Sequence, residues 1–188
     1  LTQNRTSVNA AIDYKKDSDE FRILRTRLEG EYVNDPETRL HEGVERLGLS
    51  AHTESGLENR DGSANADYRN LWVGASHRFS SMLAADARVG LGNADADGRF
   101  PIYRVGLNIR PHDDWWFRPE IERDLFAVSP RASSNEIKHE TVRLFARWSP
   151  GTRYVIDGMV SQSSFSDGNR RWEVQLAPRR ARWRTQSW

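Results

Sequence analysis

The sequence predicts an all-β fold: an antiparallel up-and-down transmembrane β-barrel, with about ten strands in this chain and room for it to be part of a larger barrel. Three observations lead there. Tracts of alternating apolar and polar residues recur from Leu71 onward. The connections between them alternate in length: 80–81, 111–114 and 149–152 are short, whereas 92–100, 124–136 and 163–169 are long. A meander that crosses a membrane keeps such a rhythm, because its turns are tight on one side and its loops are free to grow on the other. Finally, mean hydropathy is -0.79 and no run of about 18 apolar residues occurs. That excludes a membrane-spanning helix but not a barrel, whose strands need only about 9–11 residues, half of them turned to water.

The elements follow in order. Val8, Ala10, Ile12 and Tyr14 alternate with Asn9, Asp13 and Lys15, the period of a half-buried strand. After a polar turn at 16–20, Leu24, Leu28 and Tyr32 alternate with Arg25, Arg27, Glu29 and Glu31. Segment 34–51 carries two signals. Asn34-Asp35-Pro36-Glu37 resembles a helix start. Gly43 and Gly48 each cost a helix about 1 kcal/mol relative to alanine, and the balance favours a strand over 39–51. Segment 52–67 has no periodicity and reads as a polar loop.

Seven cleaner tracts come next, with apolar faces carried by Leu71/Val73/Ala75, Leu83/Val89/Leu91, Tyr103/Val105/Leu107, Trp115/Phe117/Ile121, Val142/Leu144/Ala146, Tyr154/Ile156/Val160 and Trp172/Val174/Leu176. A further strand fragment after Pro178 is an added expectation. Tyr32, Phe79, Tyr103, Trp115, Trp148, Tyr154 and Trp172 lie near strand ends, where an interfacial girdle would hold them. The plainer explanation is that aromatics favour strands.

Composition narrows the function classes. The 28 basic and 27 acidic residues leave a net charge of +1, so no global field selects nucleic acid. No cysteine is present, which removes disulfides, thiolate nucleophiles and thiolate-bound metals. The five histidines (His41, His52, His77, His112, His139) are scattered without metal-ligand spacing, so neither a metal nor a cofactor is expected. No apolar leader opens the chain, and the positions alternating back from Trp188 are Gln186, Arg184 and Arg182. The expectation is one barrel domain over 1–188 that is a fragment, or the C-terminal part, of a longer protein. An even strand number places both ends on the tight-turn, periplasmic side.

Two local features admit other chemistry. Glu120 and Glu122 share a strand face as a glycosidase carboxylate pair would. Arg118 beside them, with Arg104 and Arg143 on the adjoining tracts, favours cross-strand charge pairing instead, and no enzyme is expected. The arginine- and tryptophan-rich run from Arg170 to Arg184 fits nucleic-acid contact, but equally a strand with an arginine-lined inner face. The acidic residues elsewhere favour the strand.

The functional weight falls on the polar face. Its substrate-binding candidates are Arg78, Arg88, Arg104, Arg118, Glu120, Glu122, Arg143, Arg147, Asp157, Arg171 and Glu173, with Trp72 and Trp116. In a barrel these line a water-filled lumen, where charged groups and indole rings suit sugar hydroxyls and faces. The plainer reading is a self-neutralising ion-pair network that only supports the wall.

Glu122-Arg123-Asp124, Ser129-Pro130-Arg131-Ala132, Trp148 and Phe165-Ser166-Asp167-Gly168-Asn169-Arg170-Arg171 resemble the C-terminal barrel of exopolysaccharide export porins of the poly-N-acetylglucosamine type. The resemblance covers 114–180. It implies a passive outer-membrane conduit for a polysaccharide, with outer-membrane lipid and periplasmic tetratricopeptide-repeat or other export partners. It also implies a larger barrel, of about sixteen strands. The alternative left open by the residues is a soluble all-β carbohydrate-binding or carbohydrate-active domain, whose apolar faces would pack against a second sheet.

Overall fold

The structure is a computed structural model, and it describes residues 6–16, 21–52, 56, 62–94, 98–126, 137–151 and 154–180. Ten strands form one sheet in sequence order: β1 (Thr6–Lys16), β2 (Arg22–Val33), β3 (Thr38–Ser50), β4 (Asn65–Arg78), β5 (Leu83–Ala94), β6 (Gly98–His112), β7 (Trp115–Leu125), β8 (Lys138–Trp148), β9 (Tyr154–Phe165) and β10 (Arg170–Arg180). Every neighbouring pair is antiparallel, so the chain is an up-and-down meander. Among the described residues β1 and β10 each have a strand on one side only. The segment expected as strand over 39–51 is strand as far as Ser50. Its neighbours demand it: β3 pairs residue for residue with β2 and β4, and Gly43 gives the room in which the Trp72 ring lies.

Register keeps the two faces separate. The row Ala10–Leu28–Val44–Leu71–Leu91 runs across β1 to β5, and Val105–Ile121–Val142 runs across β6 to β8. Apart from the half-buried Ile121 these side chains are exposed: Val44 at 44%, Leu71 at 57% and Val142 at 55%. No second sheet covers that face among the described residues. A sandwich would have buried it, so the soluble alternative loses its structural basis. A one-residue slip anywhere would invert a strand's faces, so continuity over ten strands is itself a constraint.

Aromatic residues bound the apolar band on both sides. Tyr32, Phe79, Trp115, Trp148 and Tyr154 stand at the tight-turn ends, and Trp115 stacks on Trp148 with ring centroids 5.7 Å apart. Tyr14, Tyr103 and Trp172 lie toward the opposite end. Tyr14 pairs with Leu24, eight residues before Tyr32, and Trp172 pairs with Gln162, eight residues beyond Tyr154. Eight residues of strand, at about 3.3 Å each and a tilt of about 40°, span about 20 Å of membrane normal. That is close to the height of about 25 Å expected of an outer-membrane apolar band.

Connection lengths depart from expectation at two places. The connection expected over 92–100 shrinks to residues 95–97, and that over 163–169 shrinks to 166–169. Strands of 11 to 15 residues outrun the band, and their polar tips are ladder-paired although their composition is that of loops. For the same reason β4 starts at Asn65, inside the segment expected to be a loop. The long connections are 51–64 and 126–137. Arg179 and Arg180 belong to β10; the rest of the fragment expected after Pro178, residues 181–188, lies outside the described residues, as do Ser129, Pro130, Arg131 and Ala132.

Candidate functional site

On the face opposite the apolar band, alternation places one inward row of side chains on each strand, and Glu120 stands at the centre of what they build. Its side chain is fully buried. Arg104 of β6 donates from Nη2 to Oε2 at 2.6 Å, Arg118 of β7 to the same oxygen at 3.1 Å, and Arg143 of β8 from Nη1 to Oε1 at 2.8 Å. Arg143 Nη1 also reaches Glu122 Oε2 at 2.9 Å, and Arg118 Nη1 reaches Asp86 Oδ1 on β5 at 2.8 Å. Three guanidiniums and three carboxylates thus form one neutral network over four strands. Gly106 permits it. A Cβ there would lie 2.9 Å from Arg118 Nη2, so only glycine lets that arginine cross β6 to Asp86.

The other predicted residues form smaller groups. Arg147 donates from Nε to Asp157 at 2.6 Å, and its guanidinium lies 5.9 Å from the Trp116 ring. Arg179 reaches the other oxygen of Asp157. Arg171 and Glu173 pair at 3.5 Å on β10. Arg88 covers the Trp72 ring at 5.5 Å; Trp72 is 8% exposed, so its face is turned to the guanidinium and to Gly43 rather than to open space. Arg78 stands apart at the tight-turn end of β4 and joins no ion pair among the described residues.

Two features escaped sequence reasoning. Glu45 takes Arg27 Nε at 3.2 Å and lies 3.7 Å from Arg25, extending the charged row to β2 and β3. Its signal was blurred by the helix-like start of its segment. The second is an apolar cluster toward the ends that carry the long loops: Leu47, Leu49, Ala66, Tyr68, Ala94, Phe100 and Ile102 on the inward face, with Trp72 at its lower edge and Leu125 of β7 joined to it. Phe21 and Ile23 pack on it. Tyr68 donates to Asp124 Oδ1 at 2.5 Å, joining β4 to β7 over the top of β5 and β6. Small inward residues make the crossing possible, since a Cβ on Gly92 would meet Phe100 at 2.6 Å and the Tyr68 hydroxyl at 2.8 Å. The sequence does hold a trace of this. Leu47 and Leu49 have the wrong parity for the outward face set by Leu40 and Val44.

As chemistry, the site is a set of fixed charges. Both oxygens of Glu120 are engaged by arginines, so the Glu120–Glu122 pair is organised as an ion-pair acceptor. Among the described residues no three His, Cys, Asp or Glu side chains converge as metal ligands. Among the described residues no helix is long and apolar enough to cross a membrane, which says nothing about crossing by strands.

A single meander with an exposed apolar band between two aromatic borders, and a charged face behind it, defines an outer-membrane β-barrel. Residues 60–188 match the PgaA membrane beta barrel domain, and the chain belongs to that family. The match reaches well before residue 114 and takes in all of β4 to β10, with β1 to β3 joined to them in the same sheet. Comparison with curated proteins finds no match. The chain is therefore a bacterial outer-membrane barrel of the poly-N-acetylglucosamine export-porin type, and its family is a membrane transport domain rather than a known enzyme family.

Proposed function

We propose that the charged face lines a lumen through which a polysaccharide passes, held by reversible contacts with Arg78, Arg88, Arg104, Arg118, Arg143, Arg147, Arg171, Glu122, Asp157, Glu173 and Trp116, with the buried Glu120 acting through Arg104, Arg118 and Arg143 and Trp72 acting through Arg88. The observation that carries the reading is the neutral network around Glu120. Charges that neutralise one another present alternating donors and acceptors without a net field. Such a wall favours a hydroxyl-rich chain and does not trap it as a single-sign surface would trap a polyion. We further propose that 1–188 is one domain of a longer protein, its barrel completed by strands beyond these ten. Open edges support this, because unpaired backbone groups cost several kcal/mol each in hydrocarbon. Periplasmic export partners, tetratricopeptide repeats among them, would then meet the tight-turn side.

The test is single-channel recording of the protein in a planar bilayer, with N-acetylglucosamine oligomers added to one side. The expected result is transient current block whose dwell time shortens when Arg88 and Arg147 are changed to glutamine. Block that is absent, or unaltered in that double variant, would sink the proposal.

A further inference from the structure

One charge interrupts the lipid-facing band. Glu42 of β3 has outward parity: it pairs with Gly30 of β2 and Val73 of β4, and its row continues through Val8 on β1 and Val89 on β5. In that row and the rows directly above and below it, no other side chain from β1 to β5 carries a charge. The nearest charged or basic groups on this face of β2 to β4 lie two rows away. They are Arg46 and Arg69, held by Asp67, and His77, hydrogen-bonded to Thr38 at 2.8 Å. The cations behind the sheet are turned inward, Arg88 over the Trp72 ring and Arg39 toward Glu31. Glu42 has neither a hydrogen bond nor an ion pair among the described residues.

The aromatic borders give its depth. Tyr32 lies one row toward the tight turns on β2, and Phe79 lies six residues beyond Val73 at the end of β4. Toward the long loops, Tyr14 lies three rows away on β1, and Tyr103 on β6 lies in the Glu42 row itself. The rows therefore climb across the sheet. On β3 the carboxylate stands about four residues, or about 10 Å of membrane normal, from either border. That is the middle of the band, where an ionisable side chain calls for a partner.

The groove around it has the size of a small-molecule site. It holds about 680 Å³, inside the range of about 300–1,000 Å³ that such sites occupy. Gly30, Ala75 and Ala87 make its floor, and the exposed side chains of Val8, Leu40 and Val73 stand around it. Gly30 lets the carboxylate lie down into the floor, since a Cβ there would be 3.3 Å from both Glu42 Cγ and Oε1. We infer that this groove binds a lipophilic amine that enters from the bilayer. Its ammonium sits on Glu42, and its alkyl chain lies over Ala75 and Ala87 beside Leu40 and Val73. The pair is charge-assisted and shielded from water, and the walls match the chain. A phospholipid amine does not meet the site, because it is tied to a phosphate at headgroup level, about 10 Å from this depth.

The test is photolabelling of the full chain folded in detergent, using dodecylamine with a diazirine on its tail and peptide mass spectrometry to read the sites. Label should concentrate on the peptides that hold Leu40 and Val73. Unlabelled dodecylamine should compete, and dodecanol about tenfold less, the scale of one charge-assisted hydrogen bond removed. Glu42→Gln should lower the labelling by a similar factor. Gly30→Leu fills the floor and should abolish it while heat-modifiable migration still reports a folded barrel. Ala75→Leu, which leaves Glu42 untouched, should do the same if Gly30→Leu does not fold. Label spread evenly along the band would leave no site, and equal competition by dodecanol would make the groove an apolar contact only. Competition by methylamine as strong as by dodecylamine would make it a simple cation site. A dimer in sedimentation that Glu42→Gln dissolves would give the carboxylate to a second copy. Residues 1–5 lie outside the described residues, and labelling raised by Arg5→Gln would give it to Arg5. Each of these outcomes overturns the assignment.

Discussion

The two ends of the inward face are built on the same strands by opposite physics. Toward the tight turns, Glu120 and its arginines are held by direct charge-assisted hydrogen bonds of 2.6 to 3.1 Å. Toward the long loops, Phe100, Ile102, Leu47 and Leu49 are all at 4% exposure or less and are held by exclusion of water. The charged end depends on pairing: each partner is tolerated because the others are present. The apolar end depends on volume, and asks only that the space stay filled. The inward face thus has one part held by charge pairing and another held by apolar packing.

The change that strains this contrast most is Glu120→Ala. It leaves Arg104, Arg118 and Arg143 facing one another around an empty centre, and loss of one partner from a buried charge network costs about 3–5 kcal/mol. Urea titration of the detergent-folded protein, read by heat-modifiable migration, should show the lower midpoint. Much of the deficit should return in about 1 M salt, because the residual repulsion is screened. Phe100→Ala tests the other end. A buried aromatic truncated to alanine costs about 3 kcal/mol, and here added salt should restore nothing. If the two variants respond alike to salt, the distinction between the ends fails.

Gly106→Ala sharpens the comparison at the seam. The new methyl pushes on Arg118 Nη2, the mobile end of a side chain, so the cost should be about 1 kcal/mol, and the ion pair between Arg118 and Asp86 should be the first to break. Arg118→Lys in the same background should then add little, which a double-mutant cycle would measure.

The smallest effect lies outside the membrane, in the turn between β2 and β3. Slight burial would raise the Asp35 pKa, but hydrogen bonds from the Asn34 and Thr38 side chains and from the Glu37 and Thr38 amides outweigh it and hold the carboxyl below its ordinary value of 3.8. A carboxyl depressed in the folded state contributes stability above its unfolded pKa and loses it as pH falls through the folded one. Asp35→Asn should therefore lower the urea midpoint slightly at pH 7, with the difference vanishing in acid below the ordinary carboxyl range.

Much of this barrel is legible in the residues because alternation is a local property. Val8 to Tyr14 or Val142 to Trp148 declare their two faces without reference to any partner, and Arg104, Glu120 and Arg143 declare their pairing through parity on successive tracts. The tips of the strands are harder. Asn93 and Arg99 pair in the ladder although nothing apolar marks them, because above the lipid band backbone hydrogen bonds alone extend a strand.

Taken alone, the sequence determined the meander, the membrane face and the sign and parity of the inward charges, since each is set by side-chain period and by the cost of exposing apolar or backbone groups. Only the tertiary structure decided which charges meet. It also decided that an apolar collar bridges β4 to β7, and that Glu42 lies over Gly30 in an outward groove. Those depend on curvature, register across many strands and the absence of a side chain at a few glycines, and none of these is a property of neighbouring residues in the chain.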